Sequence, residues 1–268
     1  VVAVALSSTC KGLRTPLRMA LGELAQRYLR VLALCRRMDL SRTELADLDD
    51  LIFDRDSDGQ SDLTESDLAT LGMLLPKWLP RLRRLGLEGY EFGDVGLRAI
   101  CAGLGPGAAP SLNHLNLAGN KFGPVGAEAL AAALRRGAMP KLEELYISSN
   151  PISNQGATAL ALPLRTRPLL KELLLHGCAI GDEGVASLVA DLGKDDFKKL
   201  EVLYLYRNEM TDAGCATLIA ALKSGAMPNL EAGELAAEDN DAASDEAVRA
   251  VDEALDARWK AREGSAEA

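Results

Sequence analysis

Leu142-Glu143-Glu144-Leu145-Tyr146-Ile147-Ser148-Ser149-Asn150 is the stretch whose reading decides the fold. Its apolar residues fall at the first, fourth and sixth places. Leu145 and Ile147 stand two apart, so a strand turns both to one face and turns Glu144, Tyr146 and Ser148 to the other. The same spacing recurs on either side as Leu82, Leu85, Leu87; Leu112, Leu115, Leu117; Leu170, Leu173, Leu175; and Leu200, Leu203, Leu205. The leading leucines are 30, 30, 28 and 30 residues apart, and Leu230 follows after another 30. A fixed period of this length marks a chain assembled from stacked units, none of which can bury its apolar face alone.

Other positions keep the same beat. Three residues past the last apolar place come Tyr90, Asn120, Asn150, Cys178 and Asn208. Two further on stand Phe92, Phe122, Ile152, Ile180 and Met210, and four beyond those a glycine: Gly96, Gly126, Gly156, Gly184 and Gly214. In the asparagine column a side-chain amide can satisfy backbone groups freed where the chain leaves the strand. Helical runs rich in Ala and Leu follow the glycine, as in 127–136 and 215–223. Pro80, Pro110, Pro140, Pro168 and Pro228, two residues ahead of the next leucine, stop those helices.

The pattern resembles the leucine-rich-repeat family, and within it the long-repeat subclass of the ribonuclease inhibitor, whose repeats use either Asn or Cys in the column that holds Cys178. The resemblance covers residues 82–230 as five units in register. It implies a right-handed α/β solenoid, a horseshoe arc with a parallel concave sheet, convex helices and helical caps. Some positions depart from the pattern. Tyr90 stands in the asparagine column, Pro163 is expected to shorten the third helix, and Gly103, Gly105 and Gly107 the first.

Three regions are expected: a helical cap over 1–40, the solenoid over 41–230, and a degenerate repeat with a capping helix over 230–268. Thr15 and Pro16 mark the start of the first helix, whose Leu17, Leu21, Leu24, Tyr28, Val31 and Cys35 form a short heptad-like seam to dock on the first repeat. At the other end Leu230 and Leu235 keep the frame while Gly233 stands for the middle leucine. Ser244 reads as an N-cap, and Val248, Val251, Leu255 and Trp259 form a stripe at helical spacing.

Residues 54–65 satisfy the calcium-loop pattern at every liganding place, with Asp54, Asp56, Asp58, Asp62 and Glu65 around Gly59. The flanks do not suit that motif, because Ala46, Asp49, Asp50, Ser66, Ala69 and Thr70 stand where a helix–loop–helix pair needs apolar residues. The repeat frame explains them better. Leu48, Leu51 and Phe53 fit the strand pattern, and 63–71 aligns with 210–218. Residues 48–81 thus read as a divergent first repeat with a five-residue acidic insertion, ahead of the five clear repeats over 82–229. No cofactor is expected, and a calcium ion held by the insertion is the alternative.

Charge is unevenly distributed over the 268 residues and sums to −9. The first 38 residues carry seven basic side chains and one acidic, 39–67 two basic and eleven acidic, and 231–268 four basic and twelve acidic. The main body has no basic stripe of the kind nucleic acid requires, so no nucleic-acid partner is expected. No apolar run is long enough to span a bilayer. The five cysteines are scattered, without a Cys-x-x-Cys pair, and favour a reducing intracellular compartment: the cytoplasm, or an organelle after removal of a presequence.

The strand places between the leucines face the concave side. There Tyr146, Leu174, Tyr204 and Tyr206 adjoin on neighbouring strands, rimmed by Glu144, Glu172, His176 and Arg207. Aromatic residues with a polar rim are what a protein-binding hot spot needs. His114 and His176 lack metal-ligand spacing, no nucleotide-binding loop is found, and no triad is evident around Ser148, so an enzyme is not expected. The expectation is a scaffold or structural subunit that holds protein partners within a larger assembly. The alternatives are a calcium-responsive adaptor and a GTPase regulator or enzyme inhibitor.

Overall fold

The computed structural model describes residues 14–37, 44–53, 63–193, 195–230 and 234–266. Two compact units divide the chain, Val1–Leu45 and Ala46–Ala268. In the first, Arg14–Arg37 is one helix, α1. Met19, Tyr28 and Leu29 on it are exposed, whereas Leu34 and Cys35 are buried. Tyr28, expected in the heptad-like seam, is therefore half in solvent.

The second unit is an α/β solenoid. Its strands are β1 (Asp50–Ile52), β2 (Arg84–Gly86), β3 (His114–Asn116), β4 (Glu144–Tyr146), β5 (Glu172–Leu174), β6 (Val202–Tyr204) and β7 (Leu235–Ala236). They form one open parallel sheet in sequence order. The helices between them are α2 (Glu65–Leu74), α3 (Gly93–Ala102), α4 (Pro124–Arg135), α5 (Ser153–Arg165), α6 (Asp182–Val189) and α7 (Asp212–Lys223), with α8 (Asp245–Ala266) last. Each helix packs on the next, α2 through α8. The middle residue of every strand from β1 to β6 is buried, and the leucine columns fill the space between sheet and helices. Between the β2 and β3 repeats that filling leaves only an apolar void of about 10 Å³, lined by Leu85, Leu115, Leu97 and Ile100 among others.

The registers follow the columns. Leu51, Leu85, Leu115, Leu145, Leu173 and Leu203 are successive partners. Thr64 caps α2 in a reciprocal box with Asp67, and Thr211 caps α7 at the aligned place. The last strand departs from expectation. Leu235, not Gly233, pairs with Leu203, and Ala236 pairs with Tyr204. Two extra residues precede this strand, so the asparagine column resumes at Asn240, 32 residues after Asn208.

The asparagine column is a ladder of buried amides. The Asn150 Oδ1 accepts from the backbone N–H groups of Asn120 (2.9 Å) and Phe122 (3.3 Å) of the preceding repeat. Its Nδ2 donates to the carbonyls of Leu117, Ile147 and Ser148. Asn120, Asn208 and Asn240 repeat the arrangement. Cys178 keeps part of it, its thiol donating to the carbonyl of Ile147 at 3.3 Å, and burial pushes that thiol up to about 12. Tyr90 stops the ladder, and the Phe53 ring meets it edge-on.

A second ladder runs along the helix N-termini. The Asp94 Oδ1 accepts from Gly123 and Gly126, the Asn154 Oδ1 from Gly181 and Gly184, and Asp182 from the backbone and hydroxyl of Thr211. The glycine column serves this contact. Gly126 lies inside α4 rather than ahead of it, and a Cβ there would come within 2.8 Å of the Asp94 Oδ1 and 2.9 Å of Phe122.

Pro163 does not shorten α5, which at 13 residues is the longest of the repeat helices. The proline lacks the N–H that would reach the Ala159 carbonyl, and Arg135 donates to that carbonyl instead, at 3.3 Å. Gly103 does cap a short α3, and it has a second role. A Cβ on it would fall 2.1 Å from the Gly72 carbonyl oxygen, so α2 and α3 touch through bare backbone there. At the C-terminal end the Ser244 hydroxyl accepts from Ala247 N–H. Val251 and Leu255 are buried, Trp259 is partly exposed, and Arg258 donates to the carbonyls of Ala226 and Leu230.

Candidate partner-binding face

Because side chains alternate along a strand, the residues flanking each buried leucine all emerge on the face away from the helices. Parallel in-register pairing then arranges them in rows across the sheet. One row reads Ile52, Gly86, Asn116, Tyr146, Leu174, Tyr204, Ala236. A second reads Asp50, Arg84, His114, Glu144, Glu172, Val202.

The structure brings the expected residues together. Tyr146, Leu174 and Tyr204 are consecutive in the first row, and all three are partly exposed. Glu144 and Glu172 are direct neighbours in the second. His176 and Tyr206, two residues past Leu174 and Tyr204, stack face to face with centroids 4.3 Å apart, and Tyr204 leans on Tyr206 at 5.9 Å. Arg207 lies over the Tyr206 ring at 5.8 Å and reaches Asp239 at 3.3 Å. The C-terminal helix packs on α7, and it is Glu234, just ahead of β7, that Tyr204 meets.

Hydrogen bonds fix these rings. The Tyr146 hydroxyl donates to Glu172 at 2.6 Å and touches Glu144 at 3.4 Å, while the Tyr204 hydroxyl donates to Glu234 at 2.7 Å. Burial first, and then the carboxylate of Glu172, push the Tyr146 phenol well above its ordinary value. The Tyr204 phenol is pushed up to about 12, chiefly by its bond to Glu234. His114 packs edge-on against Tyr146 and bonds to Glu144. Each tyrosine thus presents a ring in a set orientation.

One pairing escaped the sequence reading. The Ser148 hydroxyl and the His176 Nδ1 lie 2.9 Å apart. Ser148 is only 2 % exposed, and no carboxylate lies within 4.0 Å of His176 among the described residues. The Ser148 hydroxyl is thus secluded where it meets the imidazole. Burial, and then Arg207, hold the His176 pKa below the ordinary imidazole value.

Of the expected calcium ligands, Asp54, Asp56, Asp58 and Asp62 lie outside the described residues. Glu65 opens the first turn of α2. Among the described residues no helix is long and apolar enough to cross a membrane.

No curated protein matches the chain. Residues 108–131, 138–161 and 168–189 match the family model described as Leucine Rich repeat. These stretches hold β3 to β5 and most of α4 to α6. The chain carries leucine-rich repeats, a type of unit that generally serves as a scaffold for protein–protein interaction.

Proposed function

We propose that this chain is a protein-interaction scaffold or structural subunit of a larger assembly, and that it holds its partner on the open face of β4 to β6. The row Tyr146, Leu174, Tyr204 carries this reading. Three large side chains on adjacent strands are partly exposed and face away from the leucine core, and the hydroxyl groups of the two tyrosines are tethered. Rigid aromatic anchors of this kind lose little freedom on binding and supply most of the affinity of an interface. The repeats read as ribonuclease-inhibitor-like on two grounds, their 28–30-residue spacing and the use of Cys178 in the asparagine column. Binding rather than catalysis is further supported by the seclusion of Ser148. A reducing compartment is supported by Cys101, Cys178 and Cys215, which are buried and not in disulfides.

The test immobilises the full chain and follows a protein retained from cell extract, comparing wild type with the Tyr204→Ala, Tyr206→Ala variant. Loss of two anchors should weaken retention by about thirtyfold or more, the effect of roughly 2 kcal/mol, with the melting temperature nearly unchanged. Retention that survives the double substitution, or a variant that unfolds, sinks the reading.

A further inference from the structure

The open face is not electrically neutral where the tyrosines gather. From β4 onward the positions flanking the buried strand leucines include Glu144, Glu172 and Glu234 and no lysine or arginine, and the cations that adjoin them in the chain are Lys171 and Arg207. Both cations are already engaged, Lys171 with Glu143 at 2.8 Å and Arg207 with Asp239 at 3.3 Å. Among the described residues no lysine or arginine lies within 4.0 Å of Glu144, Glu172 or Glu234. Their partners are His114 for Glu144 and the two phenol hydroxyls.

Glu144 and Glu172 sit directly opposite one another in register, a strand spacing of about 4.8 Å apart. Like charges so placed repel. One proton, that of the Tyr146 hydroxyl, reaches both carboxylates, at 2.6 Å and 3.4 Å, and satisfies only the nearer well. Glu144 and Glu172 are both partly exposed, and the row next to theirs holds Leu174 and Tyr204.

We propose that this notch takes an arginine side chain of a polypeptide partner, with an apolar residue of the same partner segment lying on Leu174 and Tyr204. The proposal rests on the docking face described above and names the chemistry of what docks there. A guanidinium suits the notch because its planar fork donates to two carboxylates at once and its face packs against a phenol ring. It relieves a repulsion that the free chain carries, which a neutral partner does not.

The probe is the peptide acetyl-Leu-Arg-Leu-Arg-Leu-amide, with a citrulline counterpart that keeps the length and planarity of the side chain but loses the charge and exchanges one donor nitrogen of the fork for a carbonyl oxygen. Each is titrated to 1 mM into the full isotope-labelled chain, and the backbone amide shifts of Leu145, Tyr146, Leu173 and Leu174 are followed. The arginine peptide should move these resonances, with a response at least tenfold weaker for the citrulline peptide and at 0.5 M salt. The Glu144→Gln, Glu172→Gln variant should weaken it similarly, whereas Glu183→Gln on the exposed side of α6 should leave it unchanged. Equal shifts from the two peptides overturn the arginine assignment, as does a silent set of these four amides. Either result leaves the docking face to stand or fall by the Tyr204 and Tyr206 retention experiment. The peptide comparison uses the wild-type chain and so decides the matter even if the glutamine variant does not fold.

Discussion

Replacing Asn150 with alanine should be among the most damaging single changes in the solenoid, and its size can be worked from the hydrogen bonds. The amide nitrogen donates to three carbonyls, each of which keeps another donor: Leu117 from Asn120, Ile147 from the Cys178 thiol, and Ser148 from Gly119 N–H. The oxygen is different. It is the acceptor for the N–H groups of Asn120 and Phe122, both in buried residues, and alanine leaves both without a partner. At about 1–3 kcal/mol for each stranded group the loss is about 2–6 kcal/mol. Near 4 kcal/mol the melting temperature of a unit this size falls by roughly 8–16 °C. Cys178→Ala is the internal control. The carbonyls its thiol serves also receive Asn150 Nδ2 and Ser149 N–H, so its cost should stay near 1 kcal/mol. Urea midpoints by circular dichroism compare the two, and hydrogen exchange at the Asn120 amide shows whether the damage starts there. Equal costs for the two substitutions, or a cost for Asn150→Ala below about 0.5 kcal/mol, would refute the assignment of the ladder's strength to the side-chain oxygen.

Two further outcomes are expected. Gly103→Ala forces a methyl group to within 2.1 Å of the Gly72 carbonyl oxygen, and should cost about 1–3 kcal/mol by chemical denaturation, whereas Gly105→Ala, with open space around it, should be nearly neutral. His176 has a folded pKa below the ordinary value of about 6.5, so the unfolded chain binds the proton more readily. Stability is then undiminished above that pH and declines as pH falls through the folded value. The drop in urea midpoint between pH 7 and pH 5 should accordingly shrink in His176→Gln, and an unchanged drop would count against a protonation cost at this ring.

The leucine columns were legible because strand period and repeat period coincide. A residue two places from a buried leucine must share its face, and a unit of constant length must return it to the same row. Where length changes, that logic slips. Leu235 stands five residues past Leu230, which matches the offset of Leu205 from Leu200, but two extra residues place it opposite Leu203 instead. Asn240 was the available signal, since its own column fixes the frame independently. The ladder of Asp94, Asn154 and Asp182 was equally within reach, two residues ahead of Gly96, Gly156 and Gly184. It was hidden because an acidic residue in a first helical turn already has a sufficient explanation in the helix dipole. Pro163 misled because the donor that compensates it, Arg135, comes from the preceding repeat, 24 residues before Ala159. The tyrosine row followed from register alone. The contact of Ser148 with His176 did not, because it depends on side-chain rotamers that no periodicity encodes.

Register also explains why the binding reading attaches to one half of the face. On β1 to β3 the polar groups are spent on one another. Arg84 makes two bonds to Asp50 at 2.6 and 2.8 Å, and the Asn116 amide is divided between Glu88 and the N–H of Ala118. Gly86 presents no side chain, and Ile52 from the neighbouring strand lies within 3.2 Å of where its Cβ would be. From β4 onward the same row becomes Tyr146, Leu174 and Tyr204, too large for an ordinary surface row and turned away from the leucine core, while the neighbouring row becomes acidic without matching cations. A sheet needs neither feature to stack, because the buried leucines and the amide ladder already hold the repeats together. Side chains that stand outside the leucine core, in a row that alters its chemistry halfway along, are what the proposed docking face would need.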